Sequence, residues 1–214
     1  NRIKFQNAYT GKLYSQKHIK KLLNQYRIRF RKTNYKEIAK LISEGNVIGN
    51  FHGKSEYGPR ALGNRSILAD ARKKEMRDHI NKNIKHRETY RPFAPAILED
   101  LSLKYFYIKK SPFMLRVTKC KKKKIIPSAI HVDGTARLQT VNKKQNLNFY
   151  SIIEEFYKVT GVPVILNTSF NDAGEPLVET PSDALISSFK TNLDYLVIEN
   201  NLINIKQFSL RKKE

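Results

Sequence analysis

The chain has 214 residues, 40% of them hydrophobic, which suffices for one substantial domain and excludes wholesale disorder. No apolar run reaches the roughly 18 residues of a membrane span, the opening residues lack the apolar segment of a secretory leader, and the lone Cys120 excludes an internal disulfide. These features lead us to expect a cytoplasmic protein with no membrane partner. The net charge of +22 calls for an anionic partner: nucleic acid, phosphorylated small molecules or an acidic protein surface. Much of the lysine sits in runs such as Lys121 to Lys124 and the tail "RKKE", which read as solvated stretches, so the arginines outside the runs carry the binding information.

In chain order, residues 1–34 read as an extended arm followed by a basic helix. Ser15 is placed to cap that helix, and Ile19, Leu22, Leu23 and Tyr26 recur at helical spacing. A second helix is expected over about Tyr35 to Ser43, with Ile38, Leu41 and Ile42 inward and Gly45 as its stop. "NVIGNFH" reads as a strand. "EYGPRALGNRS" (Glu56 to Ser66) follows as a tight turn, and "KKEMRDHINKNIK" places Met76, Ile80 and Ile84 on one helical face. "RPFAPAILED" and "FMLRVT" give strands, "KCKKKKIIP" a mobile loop, and "SAIHVDGTARLQTV" two extended arms about a turn at Asp133-Gly134. "YSIIEEFYKVTG" is an amphipathic helix closed by Gly161, and "VPVILN" a buried strand. Thr180, Pro181 and Asp183 stand at N-cap, N1 and N3 of a further helix, a variant of the capping box. "YLVIENNLINIK" reads as a hairpin turning at Asn200-Asn201. Helices and strands alternate without a repeat or long linker, so we expect an α/β domain over 35–214 with a mixed β-sheet, and the 1–34 segment packed on it.

Polar residues converge at several places. Lys85 and Arg87 stand two apart beyond a helix, so an extended segment would project both cations to one side, where an anion between them relieves their repulsion. The alternative is a helix C-terminus decorated with favourable cations. In "LNTSFN" a buried strand delivers Asn167, Ser169 and Asn171 in one phase at its C-terminal end, the edge where open α/β sheets bind ligands. The alternative is a polar turn that caps its own backbone. In the 56–66 stretch, glycines let backbone N–H groups approach an anion and Pro59 stiffens the chain before Arg60, with Arg65 nearby. His131, Asp133 and Arg137 form a weaker cluster. No P-loop, Rossmann fingerprint or histidine metal motif occurs.

"EYGPRALGNRSILAD", "INKNIKHRETYRPFAPAILE", "HVDGTARLQTV" and "TGVPVILNTSFNDAGEPLVETPSDAL" together make the chain resemble the C-terminal half of the O-carbamoyltransferases of the nodulation and antibiotic-biosynthesis type, over roughly residues 7–206. The resemblance implies a single YrdC-like domain with a twisted mixed sheet flanked by helices. It implies a nucleotide-site tetrad of Lys85, Arg87, Ser169 and Asn171; beside it, the polar clusters lead us to expect Arg60, Arg65, Arg91, Asn167, His131 and Arg137 to bind substrate or ATP. It further implies that carbamoyl phosphate and ATP react to carbamoyl adenylate and pyrophosphate, with Mg²⁺ as a candidate companion of ATP. An N-terminal half with an actin-like ATPase fold and a metal site would then pass the carbamoyl group to an acceptor hydroxyl; that half, with its His-x-x-x-His motif, is not in this sequence, which leads us to expect a fragment. The rival is an RNA-binding module, since YrdC-like domains are linked to tRNA modification and the charge suits a polyanion. Against it, no RNP or KH signature appears and aromatic residues are not interleaved with the basic runs.

Overall fold

The computed structural model describes residues 7–211; the first residues of the expected arm and the last of the basic tail lie outside that range. In chain order the elements are α1 (Gln16–Gln25), β1 (Arg31–Lys32), α2 (Tyr35–Ser43), β2 (Ile48–Phe51), β3 (Arg65–Asp70), α3 (Met76–Asn83), β4 (Ala94–Leu98), α4 (Ser102–Tyr105), β5 (Arg116–Lys119), β6 (Thr135–Val141), α5 (Leu147–Thr160), β7 (Val164–Ser169), α6 (Pro181–Lys190), β8 (Tyr195–Ile198), β9 (Asn201–Asn204) and α7 (Ile205–Arg211). The strands form one nine-stranded sheet in the order β1-β9-β8-β2-β3-β7-β4-β6-β5. β2 runs parallel to β8 and β4 parallel to β6; every other pairing is antiparallel, so the sheet is mixed.

The sheet is apolar on both faces, as central strands covered by helices must be. On β3, Ile67 and Ala69 join the cluster that also holds Ile19 and Leu23 of α1, Ile80 of α3 and Leu185 of α6. Their neighbour Leu68 points the other way, into Ile38 and Ile42 of α2 and Ile152 and Phe156 of α5. Each fully buried side chain of this size contributes about 1.5–3 kcal/mol relative to exposure. The helices begin where the sequence signals them. The Ser15 side chain accepts from His18 N–H, and Thr180 and Asp183 complete a reciprocal capping box with Pro181 in the first turn. Gly161 closes α5 in the left-handed region at φ 70°.

Some expectations are corrected. Tyr26 is exposed, because α1 ends before it and it stands at the C-cap. The segment before Asp133 is a 3-10 turn at Pro127–Ala129 rather than an extended arm. The lysine-rich stretch after β5 is anchored: Cys120 and Ile126 are buried, and the Lys121 and Lys122 ammoniums sit over the rings of Tyr107 and Tyr105. The last hairpin pairs Ile198 with Asn201, so its turn is Glu199-Asn200, one residue earlier than expected.

The antiparallel pairings place the C-terminal ends of β2, β7 and β8 beside the N-terminal ends of β3, β4 and β6. This end of the sheet receives the residues singled out from the sequence.

Candidate functional site

β7 delivers Ser169 at its C-terminal end, and Asn171 follows in the loop. α3 runs up to the same place and stops, and Lys85 turns inward from the residues after it. Lys85 is 2% exposed. Its ammonium donates to the Ser169 carbonyl at 3.0 Å, the Asn171 carbonyl at 2.5 Å and Asn171 Oδ1 at 2.6 Å, with Ser169 Oγ at 3.4 Å. Ser169 Oγ in turn donates to Asn171 Oδ1 at 2.7 Å. Burial pushes Lys85 down to about 7, assisted by the neighbouring Arg87 cation; Asp172 and Glu175 oppose the shift.

Arg87 is half-buried, with its guanidinium 5.0 Å from the centre of the Phe93 ring. Its Nε donates to Asn81 Oδ1 at 2.7 Å, and Asn81 also donates to the carbonyls of Thr89 and Arg91, stapling the turn that carries the arginines. The Arg87 cation is destabilised first by burial and then by Arg91, with Glu88 opposing and Arg137 adding a smaller push. Arg137, on β6, is destabilised by burial and then by Arg60. Lys85, Arg87, Arg137 and Arg60 thus each feel the charge of the next, with Arg91 exposed at the flank. Among the described residues, no carboxylate forms an ion pair with Arg60, Arg87 or Arg137. Arg91 has Glu88 at 3.6 Å. Partly buried cations without counter-ions repel one another, and an anion placed among them removes that cost. His131 Nδ1 is 2.9 Å from Thr135 Oγ1, and burial, opposed by Asp133 and aided by the Arg137 charge, holds its pKa below the usual imidazole range.

Two of the expected substrate contacts lie deeper. Arg65 is fully buried. Its Nη1 donates to the carbonyls of His52 and Asn64 and its Nη2 to that of Gly53, at 2.9, 3.0 and 3.1 Å. The guanidinium carbon sits 3.6 Å from the centre of the Phe51 ring. In this structure the Arg65 guanidinium is therefore turned inward, where it ties the loop of residues 52–64 to β2. Asn167 is 1% exposed and donates to the Ala61 carbonyl and to Gln139 Oε1, again holding that loop rather than joining Ser169 and Asn171.

The loop's organiser was missed in the sequence. Glu56 is buried, and its Oε1 accepts from the backbone N–H groups of Leu62 and Asn64 at 2.7 Å and Arg65 at 3.2 Å. Burial raises its pKa and these amides oppose the rise. Asp172 was missed as well. It is buried, receives His86 Nδ1 at 3.0 Å and the Ala173 N–H at 2.7 Å, and so fixes the loop that presents Asn171. The available signal was an acid beside the site motifs in a strongly basic chain.

With the fold and this site in place, the class is an α/β domain with cations gathered at one end of its sheet. Its fold resembles that of full-length HypF, whose structure was determined in a phosphate- and nucleotide-bound form: TM-score 0.57, 19% identity, covering 83% of this chain and 23% of HypF. Residues 39–205 match the family described as Carbamoyltransferase C-terminus, and the chain belongs to that family. It is 46% identical over 176 residues to the nodulation protein NolO of Bradyrhizobium diazoefficiens, covering 79% of this chain and 32% of NolO. It is 47% identical over 171 residues to the nodulation protein NolNO of Sinorhizobium fredii, covering 77% of this chain and 25% of that protein. The chain therefore spans a third or less of the length of these relatives. Among the described residues, no helix is long and apolar enough to cross a membrane.

Proposed function

We propose that this domain is the activation half of an O-carbamoyltransferase, joining a carbamoyl group to AMP for later transfer to an acceptor hydroxyl by an actin-like ATPase-fold domain. Carbamate is released from carbamoyl phosphate by water, with inorganic phosphate leaving. A carbamate oxygen then forms a bond to the α-phosphorus of ATP, the bond from that phosphorus to the bridging oxygen breaks, and pyrophosphate departs with the electron pair. The observation that carries this proposal is the buried Lys85 ammonium, caged by Ser169 and Asn171, continuous with arginines that lack counter-ions.

Both substrates are polyanions, so like charges must be brought together. Cations fixed before the reaction remove that penalty and stabilise charge on the leaving pyrophosphate. Arg87, Arg91 and Arg137 hold the triphosphate and the carbamoyl phosphate, and Arg60 meets them from the loop. Each well-placed guanidinium supplies about 2–4 kcal/mol, by analogy with removing an oxyanion-hole donor. Lys85, Ser169 and Asn171 orient the α-phosphate, with His131 beside Arg137 and Mg²⁺ carried in on the phosphates. HypF, which shares this fold over part of its length, was determined as a full-length protein bound to phosphate and nucleotide.

Pyrophosphate release from ATP, dependent on carbamoyl phosphate, tests the assignment. Lys85→Ala and Arg60→Ala are each expected to lower kcat/KM by about 10²-fold or more. Release unchanged in both variants would overturn it.

A further inference from the structure

We propose that Glu56 is a positioning residue, which sets where Arg60 presents its guanidinium by gripping the returning backbone of the loop. This rests on the adenylation proposal above for what Arg60 does, but not for how Arg60 is held.

The loop of residues 52–64 connects two adjacent antiparallel strands, yet it is far longer than a hairpin needs. Such a connection would ordinarily be mobile. Here its return limb has little freedom. One oxygen of Glu56 gathers the N–H groups of Leu62, Asn64 and Arg65. The Leu62 carbonyl accepts from Tyr9 Oη at 3.0 Å and Gln139 Nε2 at 2.8 Å. The Ala61 carbonyl accepts from Asn167 Nδ2 at 3.2 Å. The outgoing limb is held as well: Tyr57 N–H donates to the Ala8 carbonyl at 2.6 Å, and Gly11 N–H to that of Ser55 at 3.1 Å. Both limbs are thus pinned while the crest, Tyr57 to Pro59, stays exposed and Arg60 emerges beside it, close enough to Arg137 to disfavour that cation.

A buried carboxylate is an expensive way to tie a loop. A hydrophobic residue or a Ser or Asn cap would hold a turn whose position did not matter. Glu56 accepts three backbone donors at one atom, which fixes direction as well as proximity, and its charge also favours the neighbouring buried Arg65 cation.

The test measures binding of inorganic pyrophosphate by calorimetry, a probe that needs the cations but no chemistry. Wild type, Glu56→Gln, Glu56→Asp, Arg60→Ala and the double variant Glu56→Gln/Arg60→Ala are compared. Glu56→Gln is expected to bind roughly tenfold more weakly. Glu56→Asp keeps the charge but withdraws it by one methylene and is expected to fall between; it decides the matter should Glu56→Gln fail to fold. The diagnostic is non-additivity: with Arg60 already removed, the Glu56 change costs nothing further. Hydrogen exchange at Leu62, Asn64 and Arg65 is expected to accelerate in Glu56→Gln while β3 and β7 keep their protection. Wild-type affinity in both single Glu56 variants, or losses that multiply in the double variant, would overturn the proposal. Failure of wild type to bind pyrophosphate would remove this proposal and the adenylation proposal together. Binding without pyrophosphate release from ATP would remove only the latter.

Discussion

Lys85 has all its donors committed to oxygens of Ser169 and Asn171, and burial brings its pKa to about 7 from an ordinary value of 10.5. Two opposite pH trends result. Between about 7 and 10.5 the unfolded chain binds a proton at this lysine that the folded chain does not, so its contribution to stability improves as pH rises through that window. Anion binding runs the other way, since the ammonium is present below about 7 and lost above it. Affinity for a non-hydrolysable ATP analogue is expected to be several-fold higher at pH 6 than at pH 8, and Lys85→Gln to remove most of that slope. Calorimetric titrations at the two pH values check this; an unchanged slope in Lys85→Gln would assign the titration elsewhere. Arg65 behaves differently because it is held by carbonyls and the Phe51 ring. Arg65→Lys cannot reproduce the planar fork, so its main effect is expected on the melting temperature, whereas Arg60→Ala acts on binding.

At the scale of elements, the loop of residues 52–64 meets α5 at Gly63. That glycine has φ 119°, and a Cβ there would stand 2.4 Å from Phe149 Cδ1. Gly63→Ala combines a forbidden backbone conformation with overpacking and is expected to cost about 2–4 kcal/mol, read as a fall in denaturation midpoint at constant m-value. Thr180→Ala, which removes only the capping box of α6, is expected to cost about 1 kcal/mol. Such caps are what made much of the fold legible in the sequence: Ser15, Thr180, Pro181 and Gly161 mark boundaries by local chemistry that tertiary packing does not override. β3 was not legible. "RSILAD" is buried at every position, so it shows no alternation and merges with the glycine-rich stretch before it. β1 has two residues and takes its place only by pairing with β9, a contact no local pattern encodes. In the site, the structure brings Lys85, Ser169 and Asn171 together, but not by the extended spacing expected of Lys85 and Arg87, because His86 between them stands at φ 43°. Arg65 and Asn167 matched their neighbours in residue type and phase, and only burial separates their roles. Glu56 drew no role from the sequence, since its partners are backbone amides that a sequence does not display.

For the molecule as a whole, the charge of +22 is the dominant long-range quantity. Self-repulsion of this size lowers stability at low ionic strength, so the melting temperature is expected to rise by a few degrees between about 20 and about 200 mM NaCl, measurable by calorimetry. The same charge will attract RNA. That attraction is expected to be weak and to disappear along a steep log-log salt slope, whereas a tight, sequence-selective complex surviving at about 200 mM salt would favour the RNA-binding alternative.

The strand order has a consequence for how the chain reaches this state. β7 pairs on one side with β3 and on the other with β4, so strands made early in the chain meet only through one made late. A nascent polypeptide that has not yet exposed residues 164–169 outside the ribosome carries two unfilled hydrogen-bonding borders and cannot close either apolar layer. Assembly must therefore wait for this keystone, and with it for the serine that the caged lysine grips, so joining β3 to β4 and forming the lysine cage are one late, cooperative event.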